Sequence, residues 1–143
     1  MPLYICNSKP GTVSEEAKAK IADDVTRIHC EVTDAPPTFV HVFFFEDGPQ
    51  KQTMPPLGDK QAMIYGQIRA GRTDAQKADI AARMGAALAH HTGVAADDLL
   101  VFTTDTPASW VMEGGDVLPE PGEEEAWLAR HNVKMAALKE AAQ

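Results

Sequence analysis

Pro2 follows Met1 directly, and once Met1 is removed its ring nitrogen becomes a secondary amine, a group no side chain supplies. An ordinary α-amino group titrates near about 8, and burial or a neighbouring cation moves it lower. A base poised around neutrality and held rigid by a ring suits proton transfer at carbon acids. A small second residue also has a plainer role, which is only to permit methionine removal. Arg69-Ala70-Gly71-Arg72 is the second candidate. Two guanidinium groups so close repel each other unless an anion lies between them. A carboxylate ligand fits that fork geometry, and an adjacent helix N-terminus adds partial positive charge. The plain alternative is two solvated arginines.

The remaining candidates say less on their own. His29 stands one step past Ile28 and four past Val25, so it borders an apolar helical stripe and reads first as a core or interface histidine. Glu113 lies in Trp110-Val111-Met112-Glu113-Gly114-Gly115, where a carboxylate is either lifted by burial or left as a surface loop residue, and the surface is the simpler reading. His90 and His91 are adjacent on one helix and point apart, and His41 and His131 have no partner at metal spacing, so no metal is expected. Cys6 and Cys30 are too few for a disulfide framework and are expected to be reduced, inert thiols.

The elements that must position these residues are legible in the pattern. At 143 residues, 44% hydrophobic and 24% charged, the chain fits one soluble globular domain. Its net charge of −8 argues against a nucleic-acid partner, which needs a basic surface. No apolar run is long enough for a membrane helix, and the first residues lack a signal peptide's basic and apolar regions, so a cytoplasmic protein without a membrane partner is expected. Residues 3–7 read as a strand. Ser14, or Thr12 with Glu15, offers an N-cap, and Ala17, Ile21, Val25, Ile28 and Val32 recur at helical spacing. Asp34-Ala35-Pro36-Pro37 ends that helix, and residues 38–46 form the strongest strand. The plan then repeats. Residues 61–69 read as a strand, Thr73-Asp74-Ala75-Gln76 as a capping box, and Ala81, Met84 and Leu88 as a helical stripe closed by Gly93. Residues 99–104 form a fourth strand.

These spacings predict an α/β (α+β) fold: tandem βαβ units over 2–46 and 61–104, joined by a Gly- and Pro-rich connection at 47–60 and followed by a loop and helical segment at 105–143. Each helix is long enough to cross back over a sheet, so parallel pairing is expected within each unit, with both helices on one face of a four-stranded mixed sheet. In the second strand Val40, Val42 and Phe44 share one face and Phe39, His41, Phe43 and Phe45 the other, both largely apolar. Two helices cover one face only, so the other calls for a partner, with an oligomer as the natural supplier. The last segment, with Trp127, Leu128, Val133, Met135 and Leu138, reads as one or two peripheral helices, and Glu123-Glu124-Glu125 as a solvated acidic helix start.

Taken together these residues resemble the tautomerase superfamily, and within it the cis-3-chloroacrylic acid dehalogenase group. The likeness rests on Pro2 with Tyr4, His29, the R-x-G-R of Arg69 and Arg72, the Thr73 helix start, Pro107, Glu113, and Leu118-Pro119-Glu120-Pro121-Gly122-Glu123 with Trp127. It implies a tautomerase-like fold assembled as a homotrimer, no cofactor, and a small anionic carboxylate substrate. Pro2 would be the general acid or base. Arg69 and Arg72 would hold the carboxylate and lower the pKa of the amine, and His29 would assist them. Tyr4 would line the pocket, and Glu113 would orient or deprotonate water. Phe102 aligns where the dehalogenases carry a tyrosine that works with the glutamate on water. It keeps the bulk and loses the hydroxyl, and removal of one positioned donor can cost roughly two to three powers of ten in rate. The expectation is therefore proton transfer by Pro2 on an unsaturated or 2-oxo carboxylate. Hydration or hydrolytic dehalogenation of acetylenic or cis-3-haloacrylate-like acids is the alternative, and a non-catalytic binding protein on the same fold a third.

Overall fold

The structure, a computed structural model, describes residues 1–46, 57 and 59–143. The strand β1 spans Leu3–Ser8 and is followed by helix α1, Glu15–Thr33. The Ser14 hydroxyl accepts from the Ala17 amide, 3.1 Å away, and so satisfies one of the amides a helix start leaves free. The predicted stripe faces inward: Ala17, Ile21, Val25 and Ile28 are buried. At the other end Asp34 takes the left-handed conformation (φ 58°) and returns its amide to the Cys30 carbonyl. The helix is therefore closed by its own cap before the prolines are reached.

Strand β2 is shorter than its apolar run suggests, covering His41–Glu46, because Pro37–Phe39 forms a 3-10 turn. Pro36 and Pro37 favour that turn, and Phe39 leaves the sheet to pack edge-on against Trp127, ring centroids 5.5 Å apart. Most of the expected connection at 47–60 lies outside the described residues. In the second unit β3 spans Ala62–Arg69, α2 Asp74–Thr92 and β4 Leu99–Thr106, two residues longer than the alternation alone implies. Both hydrogen bonds of the Thr73–Gln76 capping box are present, and α2 ends on Gly93 in the left-handed conformation.

The sheet order is β2-β1-β3-β4, with β1–β2 and β3–β4 parallel and β1–β3 antiparallel. It is the expected mixed four-stranded sheet of two βαβ units. Its core joins Tyr4, Cys6, Ala62, Ile64 and Ile68 to the inner faces of α1 and α2, with Val40, Val42 and Phe44 packed alongside. On the opposite face Phe43, Phe45 and Leu100 are exposed. A two-strand hairpin, β5 (Met112–Glu113) with β6 (Asp116–Val117), and one helix, α3 (Glu124–Ala141), complete the chain. They build a second, smaller core at the end of the sheet where β1 begins, from Met1, Phe39, Ala108, Leu118 and Trp127. No described helix is long and apolar enough to cross a membrane.

Candidate active site

The start of β1, the end of α1 and the end of β3 meet at one end of the sheet. Tyr4 is fully buried, and its ring lies where a side chain on the facing residue of β3 would stand. That residue is Gly66, and a Cβ there would come within 2.4 Å of the Tyr4 ring. Glycine in the middle of this strand is thus what lets the tyrosine lie across it. The Tyr4 hydroxyl is 2.8 Å from His29 Nδ1. Burial keeps Tyr4 protonated, although Arg72 pulls the other way, and its hydroxyl can therefore donate to Nδ1. The ring proton then stands on Nε2, which is buried and has no hydrogen-bond partner among the described residues. Burial, with the charges of Arg72, Arg69 and the amino terminus added, pushes His29 down to about 3, so the ring is neutral at physiological pH.

The R-x-G-R motif places its arginines unequally. Gly71 turns the chain at φ 107°, a conformation that other residues rarely adopt. Arg69, 2% exposed, donates to the Pro119 carbonyl at 2.7 Å and to Glu124 Oε1 at 2.6 Å. Arg72 donates to the Thr33 carbonyl at 3.2 Å, one of the carbonyls the end of α1 leaves free, and lies 3.9 Å from Glu124. Gln76 takes the neighbouring carbonyl of Val32. The second unit therefore caps the helix of the first. Arg72 Nε is buried and, like His29 Nε2, has no partner among the described residues.

The anion between the two arginines is part of the chain itself. Glu124 is buried, not a solvated member of an acidic run, and its Oε2 also accepts from the Gly122 amide. Burial raises its carboxyl, but bonds from Arg69 and two backbone amides outweigh this and hold it below the usual carboxylate range.

Glu113 sits on the β5–β6 hairpin, not in an open loop, and faces the amino terminus. Its Oε2 is 2.5 Å from the Met1 ammonium and its Oε1 is 2.5 Å from His41 Nε2. Burial raises Glu113, and the hydrogen bonds from the terminal amine and His41 more than reverse this, so it is held ionised. A cleft of about 490 Å³ opens beside it, lined by Phe39, Glu113, Trp127, Leu128 and His131 among others. Phe102 is placed elsewhere. It packs at a tilt against Tyr65 (4.8 Å between centroids) on the uncovered face of the sheet, and the single chain does not bring it to the cluster of Pro2, Tyr4, His29 and Arg72.

Residues 1–132 match a family described as "Putative oxalocrotonate tautomerase enzyme". The chain belongs to the tautomerase superfamily. Within it the likeness is to the cis-3-chloroacrylic acid dehalogenase group. The chain is 30% identical to N1, a crystallised member of that group, with a TM-score of 0.78 over 90% of this chain and 91% of that one. The native structure of Ps01740 is 38% identical, with a TM-score of 0.67 over 78% of this chain and all of that one. A fused 4-OT asymmetric trimer, R7, is 26% identical, with a TM-score of 0.66 over 81% and 95% of the two chains. Among curated proteins none matches.

Two residues of this tautomerase-superfamily chain were not singled out by its sequence as members of the site. His41 lacks a partner at metal spacing, and nothing along the chain relates it to Glu113, 72 positions away. Glu124 is 55 positions from Arg69 and hidden in a run of three glutamates. The rule that two close arginines need an anion between them could have prompted a search for it. Among the described residues no group of three or more His, Cys, Asp or Glu side chains gathers as a metal would require.

Proposed function

We propose that, with Met1 removed, the Pro2 nitrogen transfers protons on a small unsaturated or 2-oxo carboxylate. The observation that carries this reading is the pair of buried nitrogens without partners among the described residues, His29 Nε2 and Arg72 Nε, grouped with Tyr4 beside the chain start. A buried donor left without a partner costs about 1–3 kcal/mol, and both of these nitrogens are donors that a carboxylate would satisfy. Arg72 and His29 hold the carboxylate. Arg69, engaged with Glu124, adds its field and keeps the α3 end in place. Uncharged Pro2 removes a proton from carbon, the electron pair spreads into a dienolate stabilised by Arg72, and the proton is returned at a second atom. Met1 is itself buried against Phe39, Ala108, Leu118 and Trp127. Its removal both frees the Pro2 nitrogen and vacates an apolar space in front of it, next to the cleft.

Intact-protein mass reads out whether Met1 is lost, and labelling with a halogenated propiolate or pyruvate should modify Pro2 alone. Pro2→Ala should lower turnover by roughly 10² or more. Modification at another residue, or an undiminished Pro2→Ala enzyme, would overturn the reading and favour a binding protein on this fold.

The ionised Glu113 at the cleft favours a second reading, in which charged Pro2 acts as acid while Glu113 activates water for addition across a multiple bond. With a halogen on the acceptor carbon, that addition expels halide. The pH–rate profile separates the two, because activity lost on acidification marks Pro2 as base and activity lost on alkalinisation marks it as acid. The uncovered face bearing Phe43, Phe45 and Leu100 supports a homotrimer whose other subunits cover it, which light scattering tests directly.

A further inference from the structure

We infer that the space filled by the Met1 side chain is a substrate subsite, which takes an uncharged, unbranched apolar tail of about four heavy atoms on a 2-oxo carboxylate. The inference rests on the reading of Pro2 as the proton-transfer group with Met1 removed, and adds the substrate class that the site selects. Met1 packs with Phe39, Ala108, Leu118 and Trp127, none of the five more than 8% exposed. These walls are buried within the single chain, so the subsite does not depend on assembly. Their side chains present apolar surface only, because the one polar atom among them, Trp127 Nε1, donates to the Val117 carbonyl at 2.8 Å. Arg69 lies over the Phe39 ring, 5.4 Å from its centroid, but is already paired with Glu124. Glu113, at the amine end, is ionised and repels an anionic tail. A neutral chain therefore fits this space and a second carboxylate does not.

The walls are held by contacts that processing leaves alone. One face of the Trp127 ring stacks on His131, with centroids 4.7 Å apart and planes within 8°, and the ring also meets Phe39 edge-on. The Leu118 amide donates to the Val111 carbonyl at 2.9 Å, and the Val111 amide to the Ala108 carbonyl at 3.1 Å. Loss of a buried methionine from fixed walls leaves an apolar cavity, and a cavity of that kind stays dry and accepts an apolar group.

Pro2 stands between this subsite and the carboxylate end. The His41 amide donates to the Pro2 carbonyl at 3.0 Å, which holds the proline in the β1–β2 pair with or without Met1. Two residues on, Tyr4 meets His29. Removal of Met1 frees the one bonding direction of the Pro2 nitrogen that pointed at Met1, and a proton on substrate C3 is taken from that side. With the carboxylate on Arg72 and His29, the chain beyond C3 then runs into the place the Met1 side chain held.

Calorimetric titration of the processed protein with straight-chain 2-oxo acids tests the subsite. Affinity should rise by about threefold or more per methylene from 2-oxobutanoate to 2-oxoheptanoate, whose tail matches the methionine side chain, and gain nothing further at 2-oxodecanoate. A flat series overturns the subsite. A gain that continues to 2-oxodecanoate seats the tail in the open cleft and overturns it as well. Ala108→Leu, which refills the vacated volume, should hold the whole gain below about threefold, and Leu118→Ala should extend the rise beyond 2-oxoheptanoate. An unchanged series in both variants overturns the proposal. Pro2→Ala, which still permits loss of Met1, separates this from the underlying reading. Full turnover there removes Pro2 as the base, whereas a flat series in the wild type with turnover lost in Pro2→Ala removes the subsite alone.

Discussion

The two strand–helix–strand units share one architecture and differ in what their helices bury. Both helices have 19 residues, begin on a hydroxyl cap and end on a left-handed residue. Helix α2 turns Ile80, Met84, Ala87 and Leu88 inward and nothing polar. Helix α1 buries His29 and Thr33 as well, at the end that points to the site. The helix of the second unit is built for packing alone, while that of the first gives up part of its packing to hold an imidazole whose Nε2 has no partner among the described residues. Packing and function are thus divided between the two helices, and substitutions can test that division.

The largest effect is expected on the functional side. Arg72→Ala should lower kcat/KM by about 10²–10³, as removal of a preorganised charge stabiliser does, and steady-state kinetics with a 2-oxo carboxylate checks it. On the packing side Met84→Ala should cost about 2–5 kcal/mol of stability in denaturant unfolding, with KM unaltered, because it empties a fully buried site away from the cluster. An equal loss of affinity there would break the contrast between packing and site residues. Glu124→Gln tests the strut that ties α3 to the end of β3. It leaves the buried Arg69 without its counter-charge and should destabilise by about 3 kcal/mol, read as a lowered unfolding midpoint.

His29 supplies the pH test. Its folded value is depressed from 6.5 to about 3, so the unfolded chain binds this proton more readily than the native one. The stability contributed by the neutral ring is complete above about pH 6.5 and is lost progressively as pH falls toward 3. His29→Leu should flatten that part of the stability–pH curve while weakening carboxylate binding. A curve that keeps its slope would place the acid sensitivity elsewhere. The smallest effect is expected at Thr73→Ala, about 1 kcal/mol from loss of the capping box, measured by thermal unfolding with kinetics as a control.

Local patterns carried most of the fold. A helix stripe, a hydroxyl cap or an alternating strand is written within a few consecutive residues, and those elements stand where spacing places them. Phe39 departs from the pattern because its neighbour in space, Trp127, lies far along the chain, and no alternation records that. The two-faced strand β2 did signal an uncovered sheet face, since alternation by itself shows which residues share a side.

The site divides in the same way. By residue type and spacing the sequence offered Pro2, Arg69 and Arg72 as candidates, and the family resemblance added Tyr4, His29 and Glu113. Only the tertiary structure decided their partners. It set Glu124 against Arg69, gave Arg72 the end of α1, closed Glu113 on the amino terminus and His41, and left Phe102 with Tyr65. The physical reason is range. Propensity and capping act over a few residues, whereas a buried charge is neutralised by whatever the packed elements bring within about 3 Å, however distant in sequence.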